Sequence, residues 1–72
     1  MDIRKRFGKN IRKARISKGW SQEDLAGAAG LDRTYISGIE RGVRNPTLSV
    51  VDLFAKALGV DPRALLAEET EE

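Results

Sequence analysis

Residues 22–42 read QEDLAGAAGLDRTYISGIERG, which is the pattern of two short helices joined by a tight turn. Ser21 is a good N-cap for the first helix, with Asp24 three residues on in the capping-box position. Gly30 suits the left-handed residue that ends this helix, and Asp32 is placed to cap the next one. Both helices are too short to be stable alone, so the rest of the chain must hold them.

The same segment has the spacing of a helix-turn-helix unit, about residues 22–41. Two short helices that cross steeply need a small residue where they meet, a glycine in the turn and apolar anchors on the second helix. Ala26, Gly30, Ile36 and Ile39 supply these features. The N-terminal half of the second helix is then free to enter a major groove. Its outward positions are Arg33, Thr34, Tyr35, Ser37 and Gly38.

The flanking sequence predicts three further helices and no strand, because no stretch alternates long enough between apolar and polar residues. The predicted helices are Ile3 to Lys18, Leu48 to Leu58, and one from the Asp61-Pro62 start signal to about Glu69. Gly19 ends the first of these, and Thr47 caps the second. We expect residues 70–72 to be frayed. Residues 1–72 are therefore predicted to form one all-α domain of five helices.

Apolar residues at helical spacing predict the core and leave one stripe without a partner. The first helix carries the stripe Ile3, Phe7, Ile11 and Ala14, and Trp20 and Leu31 are also expected to point inward. In the fourth helix, Leu48, Val51, Ala55 and Leu58 form the inward stripe, with Phe54 at its edge. A second stripe is formed by Val50, Leu53 and Ala57. One possibility is that Leu65 and Leu66 of the last helix cover this second stripe. The other is that the second stripe and these two leucines together form a dimer interface with a second copy of the chain.

Composition excludes several classes of function. The 72 residues include no Cys and no His, so disulfides, thiolate nucleophiles, the commonest metal ligand and the usual neutral-pH general base are all missing. The remaining carboxylates are explained by helix capping and by the acidic tail. No apolar run is long enough for a membrane span or a signal peptide. We expect a soluble cytoplasmic protein that is not an enzyme and binds no metal, cofactor or membrane.

The charge is unevenly distributed along the chain. Residues 1–44 carry 11 Lys and Arg against 5 Asp and Glu, whereas residues 45–72 carry 2 against 6. This asymmetry favours a polyanionic partner for the first part of the chain, with a merely solvated charged face as the alternative. The cations of the first helix lie far in sequence from the helix-turn-helix unit, and we interpret most of them as solvated.

The motifs at residues 11–15, 18–26, 44–48 and 55–60 resemble the phage-repressor family of helix-turn-helix proteins, which includes Cro and the lambda-type repressors. Within it, residues 31–41 are similar to the controller proteins of restriction-modification systems, which regulate their own gene and the endonuclease gene. The resemblance implies a lambda-repressor-like fold and a transcriptional regulator that binds a pseudo-palindromic operator in double-stranded DNA as a homodimer. A contact with RNA polymerase is compatible with this role. The alternatives are a phage or chromosomal repressor and the DNA-binding antitoxin of a toxin-antitoxin pair.

The resemblance also implies roles for individual residues. The base-contacting set is Arg33, Thr34, Tyr35, Ser37 and Gly38, in which arginine can pair with guanine, threonine can meet a thymine methyl, and glycine permits close approach. Tyr35 either senses the groove or only packs against the loop. The phosphate-contacting set is Gln22, Arg41, Arg44, Asn45, Thr47 and Ser49. All but Gln22 flank the recognition helix, and their alternative is a contact in the neighbouring minor groove. Gln22 has an alternative interpretation as an ordinary exposed glutamine. Arg15 and Glu40 match family positions that commonly form an ion pair, and their alternative is a solvated surface position.

Overall fold

The computed structural model describes residues 2–68 and confirms the all-α prediction. Its helices are α1 (Ile3–Ser17), α2 (Gln22–Ala29), α3 (Arg33–Arg41), α4 (Leu48–Leu58) and α5 (Pro62–Leu66), and residues 2–68 contain no strand. Over the same range, no helix has the length and apolar character needed to cross a membrane. The fraying expected for residues 70–72 concerns positions outside the described residues.

The helices begin and end at the predicted caps, except that α1 ends at Ser17 with Lys18 as its C-cap, one residue before the predicted Gly19. The Ser21 hydroxyl accepts a hydrogen bond from the Asp24 N–H (3.0 Å), and the Asp24 carboxylate accepts one from the Ser21 N–H (2.9 Å). This reciprocal pair is the capping box that the sequence predicts for α2. Gly30 ends α2 in the left-handed region with φ of 70°. Thr47 caps α4 through a hydrogen bond to the Val50 N–H (3.2 Å).

The last helix is shorter than the sequence predicts. It ends at Leu66, because Ala67 is extended with ψ of 147°, whereas the prediction continued it to about Glu69, which lies outside the described residues. The amide of Asn10 in α1 donates hydrogen bonds to the carbonyl oxygens of Leu65 (2.8 Å) and Ala67 (2.9 Å). This side chain from a distant part of the sequence replaces the hydrogen bonds that a further helical turn would form.

The core lies where all five helices meet, with the rings of Phe7 and Phe54 at its centre. The two ring centroids are 5.9 Å apart at an interplanar angle of 65°, an edge-to-face arrangement. The other buried side chains of this apolar cluster are Ile11, Leu25, Ala26, Ile36, Ile39, Val51, Ala55, Leu58 and Leu65. Trp20 and Leu31 are half-buried and pack against this cluster, so their inward orientation is correct but their burial is incomplete.

Three core predictions are wrong in detail. Ile3 is 49% exposed and Leu48 is 86% exposed, although both lie on predicted inward stripes. Each is the first residue of its helix, and helical periodicity gives the direction of a side chain around the axis but not whether a packing partner extends to the helix end. Phe54, predicted at the edge of its stripe, is fully buried.

A close contact between α1 and the C-terminal end of α3 positions the helix-turn-helix unit. Gly8 in α1 is buried against the backbone of α3, where an added Cβ would collide with the carbonyl oxygen of Ile39 and lie 2.9 Å from that of Glu40. No side chain fits between the two backbones at this point. No local sequence signal indicates this role of Gly8, because the residues that surround it are about 30 positions away.

The predicted ion pair between Arg15 and Glu40 is present, and it joins the same two helices seven residues after Gly8 in α1. Arg15 Nε donates to Glu40 Oε2 (2.7 Å) and Nη2 donates to Oε1 (3.0 Å), a bidentate geometry. Arg15 Nη1 also donates to the Trp20 carbonyl oxygen (2.7 Å). The side chains of Arg15 and Glu40 are only 11% and 4% exposed, and the hydrogen bonds to Glu40 raise the pKa of Arg15. The alternative of two solvated charges is therefore excluded.

Replacing Gly8 by alanine is expected to destabilise the domain by about 1–3 kcal/mol, the range typical of overpacking, because the obstacle is backbone rather than a movable side chain. The matched control is Gly27→Ala, since Gly27 lies in α2 with no atom within 4 Å of an added Cβ. This control should be as stable as the wild type or slightly more stable. Urea unfolding of the three proteins measures the difference. Equal midpoints for Gly8→Ala and Gly27→Ala would contradict the proposed backbone contact.

Removing Arg15 is expected to cost about 3–5 kcal/mol, because Glu40 is then left buried without its cation. A domain of this size has little more stability than that to lose, so Arg15→Ala should unfold near room temperature. Arg12→Ala, which changes an exposed arginine of the same helix, should melt like the wild type. Circular dichroism on heating provides the measurement, and an unchanged melting curve for Arg15→Ala would show that the ion pair contributes nothing.

Candidate DNA-binding surface

The side of α3 that faces away from the core is polar. Arg33, Ser37 and Arg41 are spaced by four residues, so at 3.6 residues per turn they follow one line along the helix. Both arginines are exposed, as is Thr34 beside them, and Ser37 is half-buried. Ile36 and Ile39 on the opposite side are fully buried. Helix α3 is therefore anchored on one side and presents donors and cations on the other.

Asp32 fixes the start of α3. Its carboxylate accepts a hydrogen bond from the Thr34 N–H (2.8 Å), and this bond holds the pKa of Asp32 below its ordinary value. A negative charge at a helix N-terminus is also favourable toward the helix dipole. The Thr34 side chain also interacts with the Asp32 carboxylate, and it remains exposed.

Gln22 connects the buried ion pair to the outward side of α3. Its amide nitrogen donates to Glu40 Oε1 (3.1 Å), the same oxygen that accepts from Arg15. Its amide oxygen faces Arg33 Nη1 at 3.5 Å, the outer limit of a hydrogen bond. Gln22 is half-buried, so it is not the ordinary exposed glutamine of the alternative interpretation. Its contact with phosphate stays a prediction.

Tyr35 lies between the core and the loop after α3. It is half-buried and packs against the core cluster, and the guanidinium carbon of Arg44 lies 5.6 Å from its ring centroid. This distance is within the range of a cation–π interaction. Packing against the loop, one of the two roles considered for Tyr35, is therefore present. A role in sensing the groove stays a prediction.

The structure corrects the role predicted for Gly38. It is buried rather than exposed, because the side chain of Arg44 lies across it. An added Cβ would lie 2.8 Å from Arg44 Cγ. The close approach that the glycine permits is thus made by an arginine of the same chain, and a direct contact between Gly38 and a base is blocked in this arrangement.

The remaining predicted phosphate contacts surround the C-terminal end of α3. Arg41 is in its last turn, Gly42 ends the helix with φ of 78°, and the Val43 N–H donates to the Gly38 carbonyl oxygen (3.0 Å). The loop then leads directly to the first turn of α4. The predicted contacts of this region, Arg41, Arg44, Asn45, Thr47 and Ser49, are all exposed. Helix α3, this loop and the start of α4 form the candidate DNA-binding surface.

The predicted dimer interface is only partly available for contact with a second copy. Leu53 of α4 is 42% exposed and Leu66 of α5 is 40% exposed, and Val50 and Ala57 are half-buried. Leu65, in contrast, is only 2% exposed and belongs to the protomer's own core, so its assignment to the interface is wrong. Adjacent residues of a helix point about 100° apart, so when Leu65 points inward Leu66 points outward.

Comparison with known proteins gives the family. The family model described as helix-turn-helix matches residues 11–65. The chain is 52% identical over 66 residues to the control protein C.BamHI of Bacillus amyloliquefaciens, a match that covers 90% of this chain and 82% of that protein.

Solved structures of controller proteins have the same fold. The restriction-modification controller C.AhdI of Aeromonas hydrophila matches with a TM-score of 0.83 and 47% identity, over 86% of this chain and 94% of that one. The controller C.Esp1396I, solved as a tetramer in complex with its natural 35 base-pair operator, matches with a TM-score of 0.82 and 43% identity, over 90% and 86% of the two chains. The chain therefore belongs to the phage-repressor-type helix-turn-helix family and within it is similar to the controller proteins of restriction-modification systems.

Proposed function

We propose that this protein is a homodimeric transcriptional regulator that binds a pseudo-palindromic operator in double-stranded DNA and controls its own promoter as part of a restriction-modification system. The observation that carries the proposal is the polar outward side of α3, with Arg33 and Thr34 exposed at its N-terminal half. In the helix-turn-helix arrangement this half of the second helix meets base edges in the major groove. The similarity to C.BamHI and to the operator-bound C.Esp1396I supports the same function.

The candidate surface divides into two kinds of contact. Arg33 offers a bidentate pair of donors suited to guanine, and Thr34 and Ser37 can contact neighbouring base edges. The exposed residues at the end of α3 and around the following loop suit the phosphates, which fix the position of the protein but carry no sequence information. This second set comprises Arg41, Arg44, Asn45, Thr47 and Ser49, with Gln22 at the start of α2.

Dimerisation is supported by the exposed apolar residues of α4 and α5. Leu53 and Leu66 are large apolar side chains that are partly exposed to water in the single chain. A twofold contact through these two leucines, with Val50 and Ala57, would bury this apolar surface. Such a dimer places two α3 helices about 34–36 Å apart, one turn of DNA, and thereby requires an operator with matching half-sites. Occupancy then rises steeply with protein concentration, which suits a regulator of its own expression.

Replacing Arg33 by alanine is expected to weaken binding to the cognate operator by about 1–3 kcal/mol per contacted base pair and to change binding to random DNA little. Arg12→Ala, an exposed arginine of α1, is the charge-matched control and should keep both affinities near those of the wild type. Fluorescence anisotropy at fixed salt concentration measures the dissociation constants of the wild type and both variants on the two duplexes. Equal losses for Arg33→Ala on cognate and random duplexes would mean that Arg33 contacts only the DNA backbone.

Replacing Leu53 by lysine is expected to give a folded monomer, because a twofold contact would place two charges in an apolar interface. Operator binding should weaken greatly, since each protomer then binds its half-site alone. Leu48→Lys is a control for oligomeric state, as Leu48 is also an exposed leucine of α4 but lies outside the proposed interface. Sedimentation velocity distinguishes the species. A dimeric Leu53→Lys protein, or a wild type that is monomeric at tens of micromolar, would refute this interface.

A further inference from the structure

Gly38 lies in the middle of α3, where glycine is less favourable than alanine because it gives the unfolded chain more freedom. It does not end the helix and has no positive φ. The space that its missing side chain leaves is filled by the stem of Arg44. An added Cβ would lie 2.8 Å from Arg44 Cγ, 3.4 Å from Nε and 3.6 Å from Cδ.

The three glycines inside helices differ in what surrounds them. Gly8 is packed against backbone, which cannot move away, and Gly27 has open space around it. The three atoms that would lie nearest to an added Cβ on Gly38 all belong to the side chain of Arg44. Alanine at position 38 is therefore expected to displace Arg44 rather than to disturb the fold, since a long side chain can adopt another rotamer.

The Arg44 side chain lies across Gly38, and its guanidinium group lies over the ring of Tyr35. The guanidinium carbon of Arg44 lies 5.6 Å from the centroid of the Tyr35 ring, and Tyr35 precedes Gly38 by three residues, so the two lie on neighbouring parts of one helix face. The hydrogen bond from the Val43 N–H to the Gly38 carbonyl oxygen (3.0 Å) holds the loop beside α3 at this point. Arg44, which belongs to the loop, therefore packs against the surface of α3.

We propose that Gly38 is a positioning residue for DNA binding, in that its lack of a side chain allows Arg44 to lie across α3 and stack on Tyr35 before DNA is bound. This inference rests on the proposed function, and it adds Gly38 as a residue that affects DNA binding only through Arg44. A cation that is already ordered on the candidate surface loses less side-chain entropy when it meets a phosphate. Gly38 and Arg44 should consequently act as a unit rather than as two independent contacts.

The test is a mutant cycle of Gly38→Ala, Arg44→Ala and the double variant, with Gly27→Ala as the matched control. The operator dissociation constant is measured by fluorescence anisotropy over a range of salt concentrations. Gly38→Ala should bind roughly 2- to 10-fold more weakly per protomer, the equivalent of losing one ordered side chain. Arg44→Ala should reduce the salt slope by about one, and the double variant should bind no more weakly than Arg44→Ala. Gly27→Ala should bind like the wild type.

Two further measurements separate positioning from a folding defect. The melting temperature of Gly38→Ala should not fall below that of the wild type, since only a flexible side chain has to move. In NMR spectra of the free protein, the Arg44 side-chain protons should show a ring-current shift that disappears in Gly38→Ala and in Tyr35→Leu and persists in Gly27→Ala. This readout requires no DNA.

The proposal is overturned if Gly38→Ala binds the operator like the wild type or leaves the Arg44 shifts unchanged. It is also overturned if the double variant loses the product of the two single losses, because Gly38 would then make its own contact with DNA. A wild type that binds no specific sequence would refute the proposed function instead. In that case the NMR comparison would still decide whether Gly38 positions Arg44.

Discussion

The contact between α1 and the C-terminal end of α3 fixes the position of the helix-turn-helix unit against the rest of the domain. Gly8 brings the two backbones together, and the Arg15–Glu40 ion pair joins the same helices further along. Helices of eight and nine residues such as α2 and α3 are not stable alone in water. Because α1 fixes the inner side of α3, it also determines which side chains of α3 face outward.

Hydrogen bonds connect the residues that stabilise the fold to those proposed to contact DNA. Glu40 Oε1 accepts hydrogen bonds from both Arg15 and Gln22, and the amide oxygen of Gln22 faces Arg33. The buried ion pair thereby orients the Gln22 amide, with its nitrogen toward Glu40 and its oxygen toward Arg33. The guanidinium of Arg44 lies over the Tyr35 ring. Gln22 and Arg44 therefore have partners within the chain before a ligand is present, which lowers the entropic cost of binding through these two side chains.

Local signals in the sequence predict where the helices begin, because a cap involves residues only two or three positions apart, as with Ser21 and Asp24. The central apolar residues and the outward position of Arg33 followed from helical periodicity. Contacts between distant residues were not predictable in the same way. The fit of Gly8 against α3, the inward turn of Leu65 and the burial of Gly38 under Arg44 depend on how elements approach in space. The Arg15–Glu40 pair was found only because it matches a family pattern.

In the proposed complex, two copies of α3 present their outward sides to one operator. Selection of bound duplexes from random DNA by the wild-type protein, followed by sequencing, tests it most directly. We expect enrichment of an inverted repeat whose half-site centres lie about 10–10.5 base pairs apart, the spacing of two recognition helices on one face of DNA. Enrichment of a single unsymmetrical half-site, or of no sequence over the starting pool, would contradict it.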